Sequence, residues 1–197
     1  MKLILLTLFI ALNTCNSKSQ NDTINREYKD TEDLNSQIKK DNIESLIRVD
    51  STFGYKTEVP KWLNLKETGN DKVWGGTFPS IDGIENAMMI KGFDKSEFKS
   101  FEHFTEIYIT GNKFGKKTLY SENHNWYGHN PRDLHGIKNG VSCRVFTFFQ
   151  NKIYHNQFAL IETKKAFLWV QFVATPDTYE LNLPKFTEFV DGIELVE

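Results

Sequence analysis

The sequence predicts an α+β fold in which helices pack on an antiparallel β-sheet, and three observations carry that prediction. Residues 141–149, 153–162 and 166–174 are three β-rich runs separated only by Gln150-Asn151-Lys152 and Thr163-Lys164-Lys165. Connections so short make consecutive strands antiparallel neighbours. Two aromatic-rich amphipathic segments, one after Ser100 and one after Pro184, complete the order strands, helix, strands, helix.

Each element has its own signal. Gly54-Tyr55-Lys56-Thr57-Glu58-Val59 alternates and stops at Pro60, as a strand does. Trp62-Leu63-Asn64-Leu65 resumes an extended pattern, and Thr68-Gly69-Asn70-Asp71 is a turn before the strand-like run 73–78. Residues 86–91 form the next expected strand. Ser100 then caps a helix whose stripe is Phe101, Phe104, Ile107 and Tyr108, ended by Gly111. Residues 167–173 are apolar on both alternating faces apart from Gln171, which places this strand in the centre of the sheet, covered on both sides. Pro184 is expected to open the last helix, with Phe186, Phe189 and Val190 inward and an end near Gly192.

The chain has 197 residues, 39% of them hydrophobic with 16 Phe, enough for a packed core. Acidic residues number 26 and basic ones 24, a formal net charge of −2, and only 4 of the basic residues are Arg. That balance argues against a general nucleic-acid binder. Two cysteines make no disulfide framework.

The N-terminus reads as an address. Lys2 is followed by residues 3–12, apolar except for Thr7, a run too short to span a bilayer and suited to a secretory signal peptide. Leu12-Asn13-Thr14-Cys15 then resembles the lipobox of bacterial lipoproteins. The resemblance implies cleavage before Cys15, diacylation of its sulfur and anchorage in the lipid bilayer, where several acyl chains hold a protein that one would not. Asn16 follows the Cys, and an outer-membrane location is expected over the inner membrane. Residues 16–47 are dominated by Asn, Asp, Lys, Ser, Gln and Glu, the composition of a flexible tether, with 35–47 able to hold a short helix. The expected organisation is a signal peptide over 1–14, lipidated Cys15 and tether over 15–47, and one domain over 48–197.

Gly54-Tyr55 through Val59-Pro60, Trp62, Ser100-Phe101-Glu102-His103-Phe104, the three-strand meander and the helix around Phe186 and Phe189 together resemble the PsbP-like and DcrB-like superfamily. That resemblance covers residues 48–197 and implies an α/β/α sandwich. Its members are mostly accessory, binding or chaperone-like proteins, including bacterial lipoproteins, and it brings no catalytic residue set.

Chemistry-bearing residues concentrate in 120–136 (YSENHNWYGHNPRDLHG), read as a loop because Gly128 and Pro131 break regularity. His124, His129 and His135 with Glu122 and Asp133 have metal-ligand side chains, but their spacings of five and six residues match no ligand motif. Trp126 and Tyr127 are the stronger candidates, because aromatic residues on loops anchor protein partners. Cys143, inside a strand, reads as a core residue; a nucleophile would need a base such as His155 across the hairpin. No nucleophile elbow, P-loop, dinucleotide fingerprint or H-E-x-x-H is present, so no catalytic residue and no cofactor are assigned. The expected function is that of a non-catalytic, membrane-anchored envelope lipoprotein that binds a protein partner in an accessory or immunity-type role. The alternative is an envelope enzyme or metal-binding protein using loop 122–135.

Overall fold

Residue Phe167 and its six successors form the middle of the molecule because neither face of their strand offers water anything polar but Gln171. The computed structural model describes residues 46–110 and 125–196. Its strands are β1 (Leu46–Asp50), β2 (Tyr55–Val59), β3 (Asn64–Lys66), β4 (Val73–Thr77), β5 (Ala87–Asp94), β6 (Asn125–Asp133), β7 (Gly140–Phe149), β8 (Lys152–Glu162), β9 (Ala166–Ala174) and β10 (Glu194–Leu195). Helix α1 (Phe101–Thr105) continues into a π turn (Glu106–Thr110), and α2 spans Pro176–Asp191.

Seven strands form one antiparallel sheet in the order β3-β4-β5-β9-β8-β7-β6, with β9 in the middle and all nine of its residues buried. Period-two alternation sends its side chains to two different cores. Leu168, Val170 and Phe172 face α2, packing with Tyr179, Phe186 and Phe189 and with Tyr55 and Val59. Phe167 and Trp169 face the other way, against Phe93 and against Phe104 and Tyr108 of the α1 segment. The α2 layer is completed by a small sheet in the order β1-β2-β10. The fold is thus α+β, helices on both faces of an antiparallel sheet.

Gln171 is satisfied within the sheet. Its amide donates to Asn156 Oδ1 at 2.8 Å, and the Asn156 amide donates to Thr147 Oγ1 at 3.0 Å, a buried polar chain across three strands. Buried polar groups persist only when paired in this way. Two glycines of β4 are equally specific: a Cβ on Gly75 would fall 2.1 Å from the Met88 carbonyl oxygen, and one on Gly76 would fall 2.3 Å from that of Asn64.

Three local expectations change. The last helix begins at Pro176, with Thr175 at its N-cap, and Pro184 lies inside it. Pro176 at the first turn followed by acidic Asp177 is a helix start, and the interior proline is tolerated because Tyr179 before it and Phe186 after it are both anchored in one core. Segment 125–133, read as loop, is strand β6 at an edge of the sheet, with a register shift between His129 and Arg132. An edge strand accommodates proline and a bulge that a central strand would not. Leu46 and Ile47 belong to β1 and pair with Val59 and Glu58, so the end of segment 35–47 is extended rather than helical. Ser100 caps α1 as expected, its Oγ accepting from the His103 N–H at 3.2 Å; Gly111 lies outside the described residues.

Candidate functional site

Helix α2 packs over β8 and β9 and leaves the same face of β7 partly open. The register sets what stands there: Phe146 opposite His155, Arg144 opposite Gln157, Ser142 opposite Ala159. Tyr179 and Glu180 from the first turns of α2 close over this row.

Arg144 is the centre. Its Nη2 donates to His155 Nδ1 at 2.9 Å, and its Nη1 lies 3.0 Å from Glu180 Oε1. The guanidinium carbon stands 4.3 Å from the Tyr179 ring centroid and 5.2 Å from that of Phe146. Rings on the cation fix its direction as well as its energy. Arg144 Nε is buried without a hydrogen-bond partner, while the side chain as a whole is one-third exposed.

The neighbours are held in turn. His155 packs edge-on to Phe146 at 4.8 Å and to Tyr179 at 5.3 Å. The Tyr179 hydroxyl donates to Gln157 Oε1 at 2.7 Å, and the Gln157 amide donates to Ser142 Oγ. Burial first, then the adjacent Arg144 charge, lowers the pKa of His155, with Glu180 opposing. The ring is therefore neutral, with Nδ1 accepting from Arg144 and the proton on Nε2. Burial pushes the Tyr179 phenol up to about 12, so it stays a donor. The arrangement presents one oriented cation and aromatic edges, a surface for recognising an anion beside an apolar group.

The sequence-predicted residues fall elsewhere. Trp126, Tyr127 and His129 are on β6, at register positions opposite Thr147, Phe146 and Arg144. Thus Tyr127 and His129 pair with the row that carries the Arg144 cluster. His135 follows β6, exposed, on a cleft of about 280 Å³ shared with Leu134 and Asp191. His124 and Glu122 lie outside the described residues, and among the described ones no three His, Cys, Asp or Glu side chains group to hold a metal ion. Cys15 also lies outside them. Cys143 is buried in the core beneath α1, opposite Phe158 rather than His155, and the two residues belong to opposite faces of the sheet. A Cys143–His155 pair does not form.

A second cleft of about 360 Å³ separates the Pro60–Trp62 corner from the end of α2, with Lys61, Lys185 and Glu188 on its walls. Trp62 is stacked on Phe78 at 4.6 Å, which makes it part of the wall.

Sequence reasoning missed Arg144, Tyr179 and Glu180 as a group. Starting the last helix at Pro184 left Tyr179 and Glu180 in a connection. A start at Pro176 would have set Tyr179 on the same inward stripe as Asn182 and Phe186.

No protein-family model matches the chain, and no curated protein matches it. Among solved structures it is similar to PA94, a protein of unknown function from Pseudomonas aeruginosa, at 12% identity over 75% of this chain and 94% of that one, with a TM-score of 0.51. That likeness is one of fold. A cyanobacterial PsbP from Synechocystis sp. PCC 6803 matches at 10% identity over 78% of this chain and 94% of that one, with a TM-score of 0.48. LpqN, involved in cell envelope biogenesis of Mycobacterium tuberculosis, matches at 11% identity over 83% and 97%, with a TM-score of 0.46.

Proposed function

We propose that the protein is a lipoprotein of the cell envelope, anchored through acylated Cys15, that binds a protein partner in an accessory or immunity-type role without catalysing a reaction. The observation that carries the binding role is the part-exposed Arg144 held between Phe146 and Tyr179. Arginine and tyrosine dominate the energetics of protein interfaces, because they offer large contact areas with few degrees of freedom to lose. Tyr127, at the register position opposite Phe146 on the adjoining edge strand, belongs to the same row in this reading, while Trp126, opposite Thr147, is assigned to the other face of the sheet. The anchor rests on the apolar run before Leu12-Asn13-Thr14-Cys15, and the outer membrane is the proposed location.

Two measurements test it. Mass spectrometry of the membrane-extracted protein should find acyl chains on Cys15, and Cys15→Ala should release the chain from membranes. Crosslinking in intact cells should yield a defined partner whose capture falls at least about tenfold with Arg144→Gln, the loss typical of an interface hot spot. Full capture by Arg144→Gln would remove this face from the reading, and an unacylated Cys15 would remove the anchor.

A further inference from the structure

We propose that Arg144 is a receptor for an acidic side chain of the protein partner, and that Glu180 is the resting occupant which that side chain displaces. This rests on the docking role just given and names its chemistry.

The two contacts of the guanidinium differ in permanence. His155 is held by the rings of Phe146 and Tyr179 on a central strand. Glu180 is 65% exposed and reaches Arg144 through Oε1 on Nη1. An ion pair so open to water contributes little, because solvent screens it and the side chain loses rotamer freedom to hold it. Arg144 itself does not leave with Glu180, since Tyr179 and Phe146 flank it. Once Glu180 swings away, no other carboxylate among the described residues pairs with the cation, and His155 is neutral and accepts from it rather than opposing it. A carboxylate arriving from outside, not tied to the α2 backbone, is able to span Nη1 and Nη2 with both oxygens. It meets apolar surface as it arrives, for Phe146 is half-buried, and Ile153, on the same strand face as His155, is 52% exposed. The occupant is an acidic side chain flanked by apolar residues because that is what Glu180, between Tyr179 and Leu181, already is.

The test uses the full chain in detergent micelles, with spectra of the arginine Nε–H groups, one for each of the four Arg in the chain. The probe is an acetylated, amidated tripeptide with one glutamate between two leucines. Its controls carry glutamine in place of glutamate, or two leucines with a free terminal carboxylate. The glutamate peptide should shift the Arg144 signal. Glu180→Gln, which removes the competitor, should tighten binding by about threefold, the scale of an exposed ion pair. Arg144→Gln should abolish binding, and Arg144→Lys, which keeps the charge but not the fork, should weaken it; melting by circular dichroism shows that each variant is folded.

Equal binding of the glutamine peptide overturns the proposal. So do unchanged affinity in Glu180→Gln, preference for the terminal carboxylate, and silence of both wild type and Glu180→Gln up to ~10 mM peptide, beyond which affinity is negligible. If any of these occurs while Arg144→Gln still loses the crosslinked partner, only the exchange falls. If capture is also untouched, the docking role falls with it.

Discussion

The ring of Phe53 occupies the space above Gly92, within 2.5 Å of where a Cβ would stand on that glycine. Phe53 belongs to the turn between β1 and β2, and Gly92 to β5, so this contact seats the small sheet on the large one. Gly92→Ala should force the ring aside and destabilise the fold by about 1–3 kcal/mol, the usual range for overpacking. Phe53→Leu in the same chain should recover part of that loss in a double-mutant cycle read by urea denaturation. Additive losses would mean that the two residues do not meet.

Tyr55 and Trp74 are joined inside the α2-side core by an indole N–H donating to the phenol oxygen at 2.7 Å. Burial pushes the Tyr55 phenol up to about 12, with the indole bond opposing. Tyr55→Phe keeps the volume but strands the indole N–H, so a loss of about 1–3 kcal/mol is expected by chemical denaturation. The indole emission of Trp74 should change at the same time.

His155 gives the fold a pH dependence of fixed sign. Burial and Arg144 lower its pKa from the ordinary value of 6.5. As pH falls below 6.5, the unfolded chain takes up a proton that the folded chain refuses, so stability is present above that pH and is lost on acidification. The denaturation midpoint should drop between about pH 7.5 and pH 5.5, and more steeply in the wild type than in His155→Gln. Parallel pH profiles for the two proteins would assign the dependence to other groups.

Cys143 is 1% exposed under α1. In a Cys15→Ala chain it is the one remaining thiol, and Ellman's reagent should not reach it until denaturant is added. Rapid modification of the native protein would contradict its place in the core.

Much of the fold was legible because its signals are local. Residues 166–174 announce a central strand by being apolar on both alternations, and the three-residue connections on either side of 153–162 announce a meander. Ser100 announces a cap. Strand β6 was hidden because Gly128 and Pro131 are poor strand residues, and only its position at a sheet edge makes them acceptable. Strand β10 has two residues, Glu194 and Leu195, and exists only because β2 is there to receive it. The candidate site was harder still. Arg144 and His155 lie eleven positions apart and join Tyr179 and Glu180 only through register and helix placement. No spacing in the sequence records that meeting.

The strand order has a consequence for the chain as it is being made. The middle strand of the large sheet, β9, is the last of its seven to be synthesised. Before it appears, β5 and β8 each present an open edge, and nothing joins the half-sheet ending at β5 to the half-sheet ending at β8. Neither half has both of its faces covered until β9 enters between them and α2 follows. Such late, long-range closure delays folding. A nascent chain of this topology completes neither core until β9 and α2, both in its final third, have emerged.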